Sequence, residues 1–256
     1  PTLDLSKATD QQSFQTANTT MEGLTRVDAE GKVQPGVAES WETSEDGLTW
    51  TFKLRKNSTW SNGTPVTAHD FEYSWKRTLT PETAAEYSYI MADIVGSSTK
   101  EIQENGVDGV GVKALDDYTL EVKLNRPVAY FAELVSFQVF FPQNQAFVES
   151  CGDAYGSAAD KQLYNGPFTL TSWKMEDQFT MEKNPNYWDA ANVKLNKINT
   201  KVVKDTGAEV SLYEDGQIDR AILSSDYVDK YKDSKELKTR EVASIFMLQI
   251  NGGNHK

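Results

Sequence analysis

Trp50, Phe52 and Leu54 alternate with Thr51, Lys53 and Arg55, a two-residue period that predicts a strand with one face buried and the other in water. The period then changes. After Trp60, the turn-forming Asn62-Gly63 and Pro65, the residues Ala68, Phe71, Trp75 and Leu79 fall on one face at helical spacing. This predicts a helix over 67–79, with Thr67 as N-cap and Asp70 in the first turn where the helix dipole favours a carboxylate. Upstream, Leu24 to Val27 reads as a short strand, followed by a turn at 28–31 and a second turn at Asp46-Gly47.

Downstream of the helix, Thr80 to Tyr87 starts a loop or irregular helix that carries several tyrosines and ends near Gly96. Val110, Val112 and Ala114 alternate, Asp116-Asp117 turn, and Leu120, Val122 and Leu124 return on a matching face, which predicts a hairpin. Pro127 reads as the first residue of a helix reaching Val135, with a second short helix near 146–148. Residues 150–161 read as an exposed connection, with a change of lobe just before it. A third hairpin is predicted from Phe168 to Trp173 and Phe179 to Lys183 about Glu176-Asp177, then a strand from Ile198 to Val203. Asp205 is placed to cap a helix ending at Gly216, and Ile245 to Ile250 is strand-like up to Asn251-Gly-Gly. Residues 1–23 are polar and give no regular element, with Leu3, Leu5, Phe14 and Met21 as apolar anchors. The predicted class is mixed α/β (α+β), with antiparallel and mixed sheets.

Composition narrows the function more than the fold. The chain has 256 residues, 38% hydrophobic and 11% aromatic, enough for a substantial core, and no apolar run approaches a membrane span. A net charge of −12 argues against nucleic acid as a partner and against an anionic membrane surface. The single cysteine, Cys151, excludes an internal disulfide and a multi-cysteine metal site. With two histidines, His69 and His255, a histidine-rich metal site is poorly supported, and His69 reads as a solvated side chain in the first helical turn. No serine lies in a Gly-x-Ser-x-Gly elbow. The acidic pairs Glu45-Asp46, Asp116-Asp117 and Glu176-Asp177 sit at turns, where surface carboxylates are ordinary, and Gly106, Gly109 and Gly111 do not form a dinucleotide fingerprint. No catalytic constellation and no cofactor site is predicted. What remains is recognition without chemistry, and an extended peptide added as a strand to exposed backbone, for which residues 1–16 suit, is one sequence-tolerant form of it.

Several motifs carry a resemblance. Gly36-Val-Ala-Glu-Ser-Trp41, Asp46-Gly-Leu-Thr-Trp-Thr-Phe-Lys-Leu-Arg55 and Trp60-Ser-Asn-Gly-Thr-Pro-Val-Thr-Ala68 are followed in order by Asp116-Asp-Tyr-Thr-Leu-Glu-Val-Lys-Leu124, Asn165-Gly-Pro-Phe168 and Asn184-Pro-Asn-Tyr-Trp188. Together they resemble the extracytoplasmic oligopeptide-binding lipoproteins of ABC importers, within the peptide/nickel solute-binding family, over roughly Leu3 to Asn251. The resemblance covers only the first part of the longer family sequence, so an amino-terminal fragment is expected. It implies a periplasmic-binding-protein-like lobe with an inserted small α+β domain and the second lobe missing. Residues 1–22 and 146–256 would be parts of lobe I, 23–145 the small extra domain, and lobe III would follow a hinge near Asn251. Neither a signal peptide nor a lipid-attachment cysteine precedes Pro1, so the chain is expected to begin after processing or trimming.

The same resemblance implies an oligopeptide held by backbone hydrogen bonds in an interlobe cleft and delivered to a permease. Alignment between Leu3-Asp4 and Glu22-Gly23-Leu24 puts the pairing segment at Thr9, Asp10 and Gln11, with an ordinary surface loop as the alternative. Counting from Trp75 and Pro81 puts a ligand-touching tyrosine at Tyr87, with interdomain packing as the alternative. The carboxylate that pairs with the peptide α-amine would lie on the second lobe. The implied setting is a monomeric cell-surface lipoprotein, in a Gram-positive cell, tethered through a lipid anchor outside this chain. Its partners would be peptide and permease, with no enzyme activity. The matched motifs are scaffold motifs, so nickel, haem or sugar as ligand, a peptide-pheromone receptor, and a secreted hydrolase on the same scaffold stay open.

Overall fold

The computed structural model describes residues 2–174 and 176–239, and the chain groups into two compact units, Pro1–Lys201 and Val202–Lys256. Within the first, helix α1 (Gln11–Thr20) precedes a two-stranded ribbon of β1 (Thr25–Val27) and β2 (Val33–Pro35). Strands β3 (Ala38–Thr43) and β4 (Thr49–Leu54) lead to helix α2 (Ala68–Leu79), then a run of 3₁₀ turns and helix α3 (Thr99–Asn105). Strands β5 (Val112–Asp116) and β6 (Thr119–Lys123) join β3 and β4 in a sheet of order β3-β4-β6-β5. Helix α4 (Phe131–Leu134), helix α5 (Gln145–Cys151) and a second sheet of β7 (Phe168–Lys174), β8 (Gln178–Lys183) and β9 (Lys197–Lys201), in that order, complete the unit. Every strand pairing among the described residues is antiparallel. The mixed α and β class is as expected, without the parallel pairings that a mixed sheet would need.

Alternation and helical spacing give the core directly. Trp50, Phe52 and Leu54 of β4 are buried, as are Leu120 and Val122 of β6 opposite them, and α2 lays Ala68, Phe71, Trp75 and Leu79 into the same core. Several polar atoms inside this layer are paired, although the buried Trp50 indole N–H has no partner among the described residues. The Trp75 indole N–H donates to the Phe140 carbonyl (2.8 Å) and the Ser74 hydroxyl to that of Phe141 (2.6 Å). At the start of α2, Asp70 Oδ2 accepts from the Thr67 backbone N–H (2.8 Å) and from the Trp60 indole (3.2 Å), so one carboxylate fixes the helix start and a core tryptophan together. Arg77 binds Asp4 through both guanidinium nitrogens at 2.7 Å and also donates to Gln143 (2.8 Å). Gln143 in turn donates to Ser6 and Ser74, which fastens residues 4–6 onto α2.

A second polar knot joins motifs far apart in sequence. The Asn165 side chain brackets the Glu22 peptide, accepting from its N–H (3.0 Å) and donating to its carbonyl (2.9 Å). The Glu22 carboxylate accepts from the Tyr187 hydroxyl (2.6 Å) and the Trp188 indole (2.5 Å), while the Arg55 guanidinium lies 3.8 Å over the Trp188 ring. Asn184 closes the group by donating to the Gly166 carbonyl (2.9 Å). A Cβ on Gly166 would stand 2.6 Å from the Thr20–Met21 backbone, so glycine is required where this loop crosses the end of α1. Burial raises the Glu22 pKa against the lowering effect of Tyr187, Trp188 and Arg26.

The described part of the second unit holds helices α6 (Thr206–Glu214) and α7 (Ser225–Tyr231). Asp205 caps α6 by accepting from the Ala208 N–H (2.7 Å), and Gly216 follows it at φ +68°. The Glu214 carboxylate accepts from Lys230 and Tyr231, which ties the two helices together.

Four expectations change. Residues 1–23 contain α1, which was hidden because its buried face is built from Ser13, Ala17 and Thr20 rather than large apolar residues. The helix predicted from Pro127 is a single turn, Phe131–Leu134 with Tyr130 as N-cap, and Pro127 instead lies close against Gly47. The stretch 150–161 is not simply an exposed connection. Tyr155 is buried with its hydroxyl on Gln162 (2.9 Å), and Gly156, at φ +72°, accepts from the Leu3 N–H (2.9 Å). Lastly, β9 ends at Lys201, short of Val203. The strand predicted at Ile245–Ile250 and the hinge near Asn251 lie outside the described residues.

Two outcomes follow for stability. Asn165→Ala leaves both polar groups of the buried Glu22 peptide without partners and should cost about 2–4 kcal/mol, read from urea unfolding. Asp70, pushed up to about 6 mainly by burial from an ordinary 3.8, binds its proton more tightly folded than unfolded. Its contribution to stability therefore falls as pH rises from about 4 to about 6. Asp70→Asn removes that slope, so the variant should gain on the parent protein by on the order of 2 kcal/mol between pH 4 and pH 7; a pH-independent difference contradicts the assignment.

Candidate functional site

Thr9 and Asp10 lead into α1 in a short exposed segment. Asp10 has extended backbone (φ −105°, ψ 151°), and its side chain accepts from the Ser13 N–H (2.9 Å) and hydroxyl (2.7 Å), capping the helix. These bonds hold its pKa below the usual carboxylate range against the opposing effect of partial burial. Thr9 is exposed, and neither its N–H nor its carbonyl is bonded to another backbone group among the described residues. Gln11 is the first residue of α1, where backbone N–H groups have no partner within the helix. Backbone on which a peptide could be added is thus that of Thr9, with the Gln11 amide nearby, since the Asp10 carbonyl accepts from the Phe14 N–H (3.2 Å). Residues 11–16, expected to share this role, are helical.

One helical turn from Asp10, Phe14 meets Tyr87. Their rings stand edge to face, with centroids 5.4 Å apart and planes at 87°. Phe137 packs against both, 5.2 Å from Phe14 and 5.7 Å from Tyr87, and Tyr89 stacks on Tyr87 at 5.9 Å. None of the four rings is buried, and Tyr89 is 69% exposed. Beneath them, Gln138 donates to Asn18 of α1 (2.6 Å), so the turn that carries Phe137 is fastened to the helix that carries Phe14. Tyr87 thus packs between segments and keeps part of its ring in solvent, and it joins the Thr9–Gln11 segment through Phe14. Sequence reading had taken Phe14 as a core anchor and passed over Tyr89, Phe137 and the Asn18–Gln138 pair. A lone phenylalanine in the polar stretch 9–20 is the signal that could have found them.

A cavity of about 520 Å³ shares no residue with this cluster; it is lined by His69, Glu72, Tyr73, Lys76, Arg77 and Thr80 among others. Its charges are occupied, Lys76 with Glu72 (2.7 Å) and Asp108 (3.5 Å), Arg77 with Asp4, and His69 with Asp117 (3.4 Å). Its charged side chains are thus held in ion pairs within the fold. Cys151 is a free, half-buried thiol, and among the described residues no three histidine, cysteine or acidic side chains converge on a metal site. No described helix is long and apolar enough to cross a membrane.

The chain as a whole is similar to known proteins. The oligopeptide-binding protein OppA of Bacillus subtilis is 37% identical over 249 residues, 95% of this chain and 46% of that protein. A crystal structure of the substrate-binding domain of an oligopeptide ABC transporter from Bacillus anthracis is 49% identical, with a TM-score of 0.89 over 92% of this chain and 45% of the other. Listeria monocytogenes OppA, solved bound to peptide, is 42% identical with a TM-score of 0.87, over 92% of this chain and 47% of the other. The chain therefore spans about half the length of the relatives it matches. The model of the middle region of the bacterial extracellular solute-binding proteins, family 5, matches residues 32–255, and the chain belongs to that family.

Proposed function

We propose that this chain supplies one lobe, with its small additional domain, of an extracytoplasmic solute-binding protein that captures oligopeptides for an ABC importer. On this reading residues 23–145 are the additional domain, 1–22 and 146–256 belong to the first lobe, and a second lobe after a hinge near residue 251 completes the cleft. The four-stranded sheet with α2 and α3 lies wholly within 23–145, which supports that division. The mature protein would be a monomer at the surface of a Gram-positive cell, held to the membrane by a lipid anchor outside this chain, and would hand its ligand to the permease without altering it.

One observation carries the reading: exposed Thr9, whose backbone groups have no backbone partner among the described residues, continues into extended Asp10, one helical turn before the Phe14 that packs on Tyr87. Main-chain groups are common to every peptide, so pairing at Thr9, Asp10 and Gln11 gives affinity without demanding a sequence. Tyr87, half-buried in the cluster, would contact the guest with its side chain. Capture would be closure of two lobes about the hinge. The motifs shared with relatives belong to the scaffold, so nickel, haem or a sugar is the alternative guest, and a pheromone receptor is the same device with a narrower one.

The lobe alone binds too weakly to detect. Three or four backbone hydrogen bonds at about 1 kcal/mol each barely meet an association cost of at least roughly 4 kcal/mol. Calorimetric titration of mixed-sequence peptides should therefore show micromolar or tighter binding by the full-length protein and none by residues 1–256 alone. Micromolar binding by this chain alone contradicts the two-lobe account, and a full-length protein that binds nickel, haem or sugar but no peptide contradicts the ligand assignment.

A further inference from the structure

We infer that Phe14, Tyr87, Tyr89 and Phe137 form a subsite for one apolar side chain of the bound peptide, best filled by an aromatic ring. The inference rests on the peptide-binding reading and goes beyond it, because backbone pairing alone carries no preference for any side chain. Three separate segments of the chain bring four rings together, and all four keep surface in water. The fold does not lack room for buried aromatics: Trp60, Trp75, Phe52, Phe71, Phe131 and Phe140 are all enclosed. Aromatic surface left wet forgoes the gain of burial, which a guest covering it would recover.

The rings are fixed before any guest arrives. Tyr87 is held edge-on by Phe14 and tilted against Phe137, and the Asn18–Gln138 bond locks the two backbone segments that carry those phenylalanines. A preorganised face costs little conformational entropy on contact. Continuity with the backbone-pairing segment fixes the occupant. Phe14 lies four residues, one helical turn, beyond Asp10, so a peptide whose main chain pairs with Thr9 at the start of α1 has a side chain within reach of the rings. The guest's charge follows from the surroundings. No described cation–π contact involves any of the four rings, and no described hydrogen bond joins the Tyr87 or Tyr89 hydroxyl to a carboxylate. An uncharged ring, able to meet these faces in stacked or edge-on geometry, is the better match.

The test uses the full-length binding protein and pentapeptides of alanine in which phenylalanine, lysine or glutamate is placed at each position in turn, with affinities from calorimetry. At the favoured position phenylalanine should bind at least tenfold more tightly than alanine, with lysine and glutamate showing no such gain. Tyr89→Ala, at an exposed position, should cut the phenylalanine-to-alanine ratio at least threefold, and Phe14→Ala should cut it further, with thermal unfolding as the check on folding. Tyr130→Ala, an exposed aromatic outside the cluster, should leave the ratio unchanged. A ratio that survives both Tyr89→Ala and Phe14→Ala, or a tenfold preference for lysine, overturns the subsite while leaving peptide binding intact. If the full-length protein binds none of these peptides, the peptide-binding reading falls and the subsite with it.

Discussion

The structure depends on one buried carboxylate. Glu22 sits where α1 ends and the first ribbon begins; the desolvation of its carboxylate is offset by the Tyr187 hydroxyl, the Trp188 indole and the charge of Arg26, while the Asn165 amide brackets its backbone. An acid removed from water is tolerated only with such partners, and loss of any one leaves the others holding a group that water would claim. The knot therefore acts as a registration device. It places residues 165–188 against residue 22, and Arg55 stacked on Trp188 carries the fixation to the end of β4 and, through its bond to the Gly36 carbonyl (2.7 Å), to the link between β2 and β3.

That registration reaches the candidate site through α1. The Gly166 N–H donates to Thr20, the last residue of the helix, so the knot sets where α1 ends, while Asp10 sets where it starts. Between these two anchors the helix has little freedom, and Phe14 is held against Tyr87 and Phe137. The exposed rings are thus presented by a well-packed scaffold, which suits a surface that must meet a guest without rearranging.

Much of the scaffold was legible in the sequence because its signals are local. Trp50, Phe52 and Leu54 gave β4 by alternation, Ala68, Phe71, Trp75 and Leu79 gave α2 by spacing, and Thr67 with Asp70 marked its start. The missed helix shows where such reading ends: α1 buries small and polar residues, so it has no apolar stripe to detect. The single turn after Pro127 has the opposite lesson, since a proline able to open a helix is equally able to rest on a glycine turn. Of the site, Thr9, Asp10, Gln11 and Tyr87 came from resemblance rather than pattern. Phe14, Tyr89 and Phe137 meet only in three dimensions, so no spacing in the sequence could have joined them.

The most direct test is a crystal structure of the full-length protein with a bound peptide. The account predicts peptide main chain within hydrogen-bonding distance of Thr9 or the Gln11 amide, and ligand atoms against the Tyr87 side chain. Peptide seated elsewhere, for example in the cavity lined by His69, Tyr73 and Thr80, with Thr9 and Tyr87 untouched, would contradict it.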